Sequence, residues 1–371
     1  MGSLEIQILL IACMVASACA LPGVFLVLRR QALMSDAISH SILFGIVVAF
    51  FITKDLASPW LILGATMTGI LTVTLTELII HTRLLKEDSA IGLIFPVFFA
   101  TGVLLINRYA GQVHLDNDSV LLGEILHAPN YRLIISGVDL GPRAMWMMGG
   151  ILLANALLML FFYKELKIAT FDPGLATALG FSPTIIHYGL MTMVSITAVG
   201  AFDAVGSILV VALMITPPAT AYMLTNRLNR MILLSLLIGI VSAGTGCLMA
   251  FALDFISIAG AMATSSGVFF LAAFIFSPSQ GLLLKWMRQR KQKWKFACHM
   301  LAIHLLDHEG TPQEEEENAV SMLTGPHMRW SEHFAARVVA LSVSHGLIRR
   351  EGERLFLTPL GRETARAVMA H

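Results

Sequence analysis

Residues 5–40 read EIQILLIACMVASACALPGVFLVLRRQALMSDAISH. No charged side chain interrupts the 21 residues from Ile8 to Leu28, the pair Arg29-Arg30 closes the run, and a second apolar stretch starts at once around Asp36 and His40. A hydrocarbon core about 30 Å thick needs about 20 apolar residues per helix, so the first run is long enough to cross a bilayer. Outward from it the same signature recurs, giving stretches near 5–27, 34–52, 58–80, 90–107, 144–163, 183–201, 205–224, 231–252 and 257–277. The runs are long and continuous, which favours helices over the alternating strands of a barrel. Composition agrees: 56% of residues are hydrophobic and 13% charged, against about 45–50% and 25% in a soluble domain. The expected fold is an all-α polytopic membrane protein of about nine transmembrane helices.

Charge divides the chain. Of its 49 Asp, Glu, Lys and Arg residues, 23 lie in the last 87 positions. The expected organisation is a transmembrane domain at 1–284, a basic juxtamembrane linker at 285–295 (KWMRQRKQKWK) and a cytosolic domain at 296–371. Lys and Arg near span ends favour the cytosolic side. An external N-terminus puts Arg29, Arg30, Arg83, Lys86, Lys164, Lys167, Arg227 and Arg230 inside, and only Lys54, Arg108, Arg132 and Arg143 outside. Nine spans then leave the C-terminus in the cytosol. A cleaved signal peptide ending at Ala18-Cys19-Ala20 is disfavoured, because a basic stretch before the apolar run is missing. The net charge of +1 supports no broad electrostatic attraction to an acidic partner. The four cysteines form no CxxC pair.

An ionised side chain inside the bilayer asks for a reason. Asp36 and His40 are four residues apart and share one helical face with Ser39 nearby, a spacing that suits two ligands of one divalent cation. A carboxylate–imidazole hydrogen bond between packed helices explains the pair equally simply. As ligands, carboxylate plus imidazole without thiolate suits manganese, iron(II) or zinc and argues against copper(I). Asp203, in the glycine-flanked stretch 200–206, reads as just past the sixth span, either a third metal candidate or a helix cap. Glu77 and Asp254 sit at span ends as solvated interface residues. Ser242, Gly246, Gly260 and Ser265 favour close helix packing. The outer connection, about 108–143, carries His114, Asp116, Asp118, Glu124 and His127, which suit cation collection or simply an exposed loop with a short helix from Val120 to Leu126.

On the inner side, Asp172 is a good N-cap, Pro173 a good first helical residue and Gly180 a good terminator, so 173–179 reads as a short helix, either a docking knob or an interfacial connector. No GxxxxGK[ST] phosphate loop occurs in the chain, so transport driven by ATP requires hydrolysis on another subunit.

The stretch Gly23–His40, Glu87-Asp88-Ser89-Ala90-Ile91-Gly92, the segment Tyr163–Gly180, and Ala204–Leu213 followed by Pro217-Pro218-Ala219-Thr220-Ala221 together resemble the manganese/zinc/iron permease family of bacterial ABC importers. The resemblance covers most of residues 5–280. It implies a multi-pass protein of the bacterial inner membrane with no permanently bound cofactor, carrying manganese, zinc or iron as cargo. It also implies three partners: an extracytoplasmic metal-binding protein, a cytosolic ABC ATPase, and a second permease subunit that makes a homodimer or heterodimer. Asp36 and His40 match the family's permeation site. Asp172, Pro173, Gly174, Leu175, Ala176 and Gly180 fall in the segment that matches its ATPase-coupling helix. Pro217-Pro218 departs from the single proline of many relatives and leaves the helix geometry there open.

Beyond residue 296 the periodicity predicts helices over 296–308, 314–323 and 331–345, then a hairpin and a last helix from Pro359, an order that resembles a winged helix. DNA binding needs cations against phosphates. Residues 297–371 hold seven Arg and no Lys against ten Asp and Glu, so nucleic acid is disfavoured as a partner and a structural or regulatory module is expected. His304 and His308 read as surface histidines, and Glu314–Glu317 as a solvated helix start. Two rival readings of the whole remain: a membrane-anchored, metal-responsive DNA-binding regulator, and an ion-gradient-driven carrier, for which internal repeats are expected.

Overall fold

The computed structural model describes residues 2–54, 58, 60–109, 125–135, 138–253, 256–278, 281–325 and 328–369. They fall into two compact units, Met1–Gly281 and Leu282–His371.

The first unit holds α1 (Ser3–Leu28), α2 (Ala32–Thr53), α3 (Trp60–His81), α4 (Glu87–Tyr109), α5 (Arg143–Phe161), α6 (Tyr163–Phe171), α7 (Pro173–Ala178), α8 (Pro183–Val205), α9 (Ser207–Leu224), α10 (Leu228–Ala252) and α11 (Ile258–Phe276). Among the described residues nine helices are long and apolar enough to span a membrane, and each coincides with an expected stretch to within a few residues. One boundary differs in consequence: Asp203 lies within α8, not beyond it. The helix runs on because its break falls at Gly206, whose φ of 78° and ψ of 165° suit a residue without Cβ. Another corner is tighter still. Residues 29–31 alone separate α1 from α2, and Arg30 takes a left-handed φ of 62° to turn the chain.

Helix α1 is the most enclosed span and packs on α5, α8, α9 and α10, while α2 packs between α3 and α4. Ile11, Val15, Leu26, Leu213 and Met214 are fully buried in this core. Asn155 on α5 is buried and donates to the Ala18 carbonyl (3.1 Å) and the Thr197 hydroxyl (2.8 Å), joining three helices. Small residues mark the closest approaches, as they do where apolar lipid gives helices little reason to associate. A Cβ on Gly246 would meet Met262 N at 2.7 Å, and Thr245 bonds Ser265 at 2.5 Å, whereas Gly260 faces nothing nearer than 3.8 Å. Gly246 and Ser265 therefore meet the packing expectation and Gly260 does not. Both Pro217 and Pro218 lie inside the continuous α9. Pro218 cannot donate to the Met214 carbonyl, and that oxygen faces Gly23 of α1, which has no Cβ to obstruct it. Leu63, Met67, Leu93, Leu104, Leu153 and Leu160 are exposed on the outer faces, as expected of surface covered by lipid tails.

The expected outer loop is only partly described: His114, Asp116, Asp118, Glu124 and most of the predicted 120–126 helix lie outside the described residues. Exposed His127 ends a turn, followed by an antiparallel hairpin of β1 (Arg132–Ile135) and β2 (Val138–Pro142). Arg132 pairs with Asp139, and together with the Gly141 amide holds that carboxyl below the usual carboxylate range.

The second unit contains α12 (Leu282–His308), α13 (Glu314–Glu317), a 3₁₀ turn at Val320–Thr324, α14 (Glu332–Ser344), β3 (Ile348–Glu351), β4 (Arg354–Leu357) and α15 (Pro359–Met369). The basic stretch 285–295 is thus helical, part of α12. The predicted helix 314–323 stops at Glu317. Its apolar half instead drops Leu323 into a core with Cys298, Leu301, Val338 and Leu355. Two surface expectations are also corrected: His304 and Glu317 are buried against each other at 3.3 Å, because both face that core's edge. Arg362 grips Glu309 through both carboxylate oxygens (2.8 and 2.9 Å), which pushes the Glu309 carboxyl below its usual range.

Candidate metal pathway site

The corner at 29–31 sets the start of α2, and the helical turn then places Asp36 and His40 on one face. His40 Nε2 lies 3.3 Å from Asp36 Oδ1, with the two side chains 25% and 37% exposed. Phe95 and Phe99 of α4 flank the imidazole, with ring centroids 5.8 and 5.7 Å away. Aromatic walls orient the ring while leaving one edge open beside the carboxylate. Ser35 is occupied with the Ala32 carbonyl (2.8 Å), and the Ser39 hydroxyl is buried. Among the described residues no set of three His, Cys, Asp or Glu side chains gathers into a metal cage. The side chain of Asp203 lies outside the described residues.

The predicted short helix is present as α7. Asp172 accepts from the Leu175 amide at 2.9 Å, Pro173 opens the helix, and Gly180 terminates it with φ 86°. Gly174 and Leu175 are exposed and Ala176 is buried. Phe171, at the end of α6, and Leu175 and Leu179, in and just after α7, are 61%, 49% and 55% exposed, which leaves large apolar side chains uncovered around α7. The preceding helix α6 was not anticipated from the sequence. Its charged Lys164, Glu165 and Lys167 mask the apolar positions Leu166 and Ala169, both of which are buried.

Sequence reading also missed a polar chain at this end. Glu77, expected to be solvated, lies 2.6 Å from His187 Nε2, with side chains 24% and 12% exposed. His187 Nδ1 lies 3.3 Å from Arg29 Nη1, and Arg29 Nε donates to Thr170 Oγ1 at 3.1 Å. A guanidinium carries only donors, so Nδ1 is the acceptor in its contact with Arg29. The available signal was His187 itself, an imidazole one turn into an apolar span.

A profile of the ABC 3 transport family matches residues 3–277. The zinc transport system membrane protein TroD of Treponema pallidum (strain Nichols) is 48% identical over 364 residues, 98% of each chain, and so shares the second unit too. The manganese transport system membrane protein MntD of Bacillus subtilis (strain 168) is 46% identical over 286 residues, 77% of this chain and 96% of its own. Among solved structures, PsaBC from Streptococcus pneumoniae in complex with Fab is similar with a TM-score of 0.63 and 31% identity, covering 76% of this chain and 94% of that one. With a family match across the whole helical unit and relatives near half identity, the chain belongs to the ABC 3 transport family of multi-pass membrane permeases.

Proposed function

We propose that this chain is the permease subunit of an ATP-driven importer that carries a divalent transition metal ion, manganese first and zinc or iron next, past Asp36 and His40. The observation that carries the site is the side-by-side carboxylate and imidazole on α2, half-open between aromatic walls. Relatives named for zinc and manganese transport support the cargo class, and hard or borderline ligands without thiolate suit it. The metal is substrate, and no permanent cofactor is required. Asp203, within α8, is retained as a third candidate on the path.

Eight basic residues on one set of connections against four on the other support a topology with α6 and α7 in the cytosol and the N-terminus outside. There the exposed Phe171, Leu175 and Leu179 are offered to an ATPase subunit, which supplies the hydrolysis this chain has no phosphate loop to perform. An extracytoplasmic metal-binding protein delivers the ion, and a second permease, identical or different, completes the pathway. We read the second unit as winged-helix-like, a reading supported by its order of helices followed by a β3–β4 hairpin and a last helix. Its acidic balance favours a structural or regulatory role at the ATPase over DNA.

The test is uptake into membrane vesicles containing the chain, its candidate ATPase and binding protein. Manganese should accumulate only with ATP and with the ATPase present; accumulation without either contradicts the assignment. Docking is tested separately. Asp172→Ala removes the cap on α7, worth about 1 kcal/mol, and should lower the ATPase co-purifying per permease by about fivefold. Unchanged co-purification would remove α7 from the interface.

A further inference from the structure

The polar chain Glu77–His187–Arg29–Thr170 joins four elements at the end of the bundle where α6 and α7 lie: α3, α8, the corner after α1, and α6. Its members border a cavity of about 460 Å³, lined among others by Gln31, His81, Thr170 and Pro173. Two of the links are hydrogen bonds from Arg29 and the third is a 2.6 Å contact between His187 and Glu77. The Arg29 fork spends one nitrogen on the Thr170 hydroxyl and another on the ring of His187, whose opposite edge rests on the Glu77 carboxylate. A metal is a poor occupant of this cluster, because the cationic guanidinium holds the ring nitrogen that would otherwise be free to ligate.

The position of Arg29 gives the chain a direction. Thr170 is on α6, which meets α7 at Asp172. Arg29 is in the three-residue corner that begins α2, seven positions before Asp36. Helix α2 in turn packs on α4, which carries the Phe95 and Phe99 that flank His40. A displacement of α6 is therefore delivered through one guanidinium to the corner that begins the helix bearing the Asp36–His40 pair.

We propose that Arg29, held by Thr170 on one side and by His187 and Glu77 on the other, is the positioning relay that converts movement of segment 163–180 into movement of the cation pair. This rests on the permease reading above. The four side chains are positioning residues and do not touch the ion. Coupling of this kind needs a physical chain of contacts and a measured change in coupling, since adjacency alone is only suggestive.

The experiment uses the full transporter in lipid vesicles and records ATP hydrolysis and manganese uptake together. Thr170→Val keeps the size of the side chain and removes the hydroxyl, and Thr170→Ser restores it. The relay predicts that Thr170→Val lowers manganese carried per ATP by about fivefold, while hydrolysis stays within about twofold of wild type. Thr170→Ser should recover the ratio, and Arg29→Lys, which loses the fork, should resemble Thr170→Val. An unchanged ratio in Thr170→Val overturns the relay. So does parallel loss of hydrolysis and uptake at an unchanged ratio, the signature of a merely structural contact. The two readings fail separately: ATP-independent uptake by the wild type removes the permease reading and the relay with it, whereas ATP-driven uptake with an unaltered ratio in Thr170→Val removes the relay alone.

Discussion

Metal uptake falls by more than about tenfold in Asp36→Ala and in His40→Ala, at unchanged abundance in the membrane. The tenfold floor is the lower bound seen when even an outer-shell partner of a metal ligand is removed, and the account places both groups on the ion itself. Abundance should hold because the pair contributes little to folding. A 3.3 Å contact between side chains 25% and 37% exposed is worth about 1 kcal/mol at most. Asp36→Asn sharpens the comparison. It keeps the hydrogen-bond acceptor and the shape, so a purely structural pair tolerates it, while a cation site loses the carboxylate charge of the pair. Uptake measured metal by metal in cells at matched abundance decides the matter, and wild-type uptake in Asp36→Asn would favour the structural pair.

Gly23→Ala removes most of the folded chain from the membrane. The added Cβ would overlap the Met214 carbonyl oxygen, with the carbonyl carbon at 2.9 Å and Pro218 Cγ at 3.1 Å. Backbone cannot yield as the end of a flexible side chain does, and α1 is buried throughout from Val15 to Leu26, so the helices must separate. Overpacking of a close-packed core costs about 1–3 kcal/mol and more where relaxation is blocked. This site belongs at or above the upper end. The carbonyl also has no proton to accept from Pro218, so close approach of α1 is what shields it in the membrane. Gly244→Ala is the control, since nothing lies within 4 Å of its would-be Cβ. A lowered melting midpoint of detergent-purified protein in Gly23→Ala but not in Gly244→Ala is expected; equal midpoints would contradict the packing argument.

What the residues reveal without coordinates depends on how local the cause is. Nine spans were legible because an apolar run of about 20 residues is sufficient reason for a membrane helix. The ends of α7 were legible because Asp172, Pro173 and Gly180 act within one turn of themselves. The face shared by Asp36 and His40 follows from helical spacing alone. Hydropathy reports on a window and not on a neighbour, so Glu77 looked like an interface carboxylate while its partner His187 lies 110 positions away. Arg29 was read as a marker of orientation, which accounts for its charge but not for its two hydrogen bonds. The same limit applies to Gly23: its meaning lies in Met214 and Pro218, on a helix nearly 200 residues distant in sequence. In the second unit, Glu314–Glu317 looked solvated because four carboxylates in a row rarely hide one of their number, yet Glu317 is buried on His304. Asp203 shows the coarseness of span boundaries, where a single glycine three residues later decides whether it lies in the helix.

The central claim, that the transported ion touches the pair on α2, is tested most directly by changing the metal preference and not merely the rate. Asp36→Cys replaces a hard carboxylate with a thiolate, which favours zinc over manganese. In energised vesicles holding the full transporter and supplied with both metals, the ratio of zinc to manganese uptake should rise in Asp36→Cys above both wild type and Asp36→Asn. A ratio equal to wild type, in a variant that still transports, would show that the ion passes without touching Asp36.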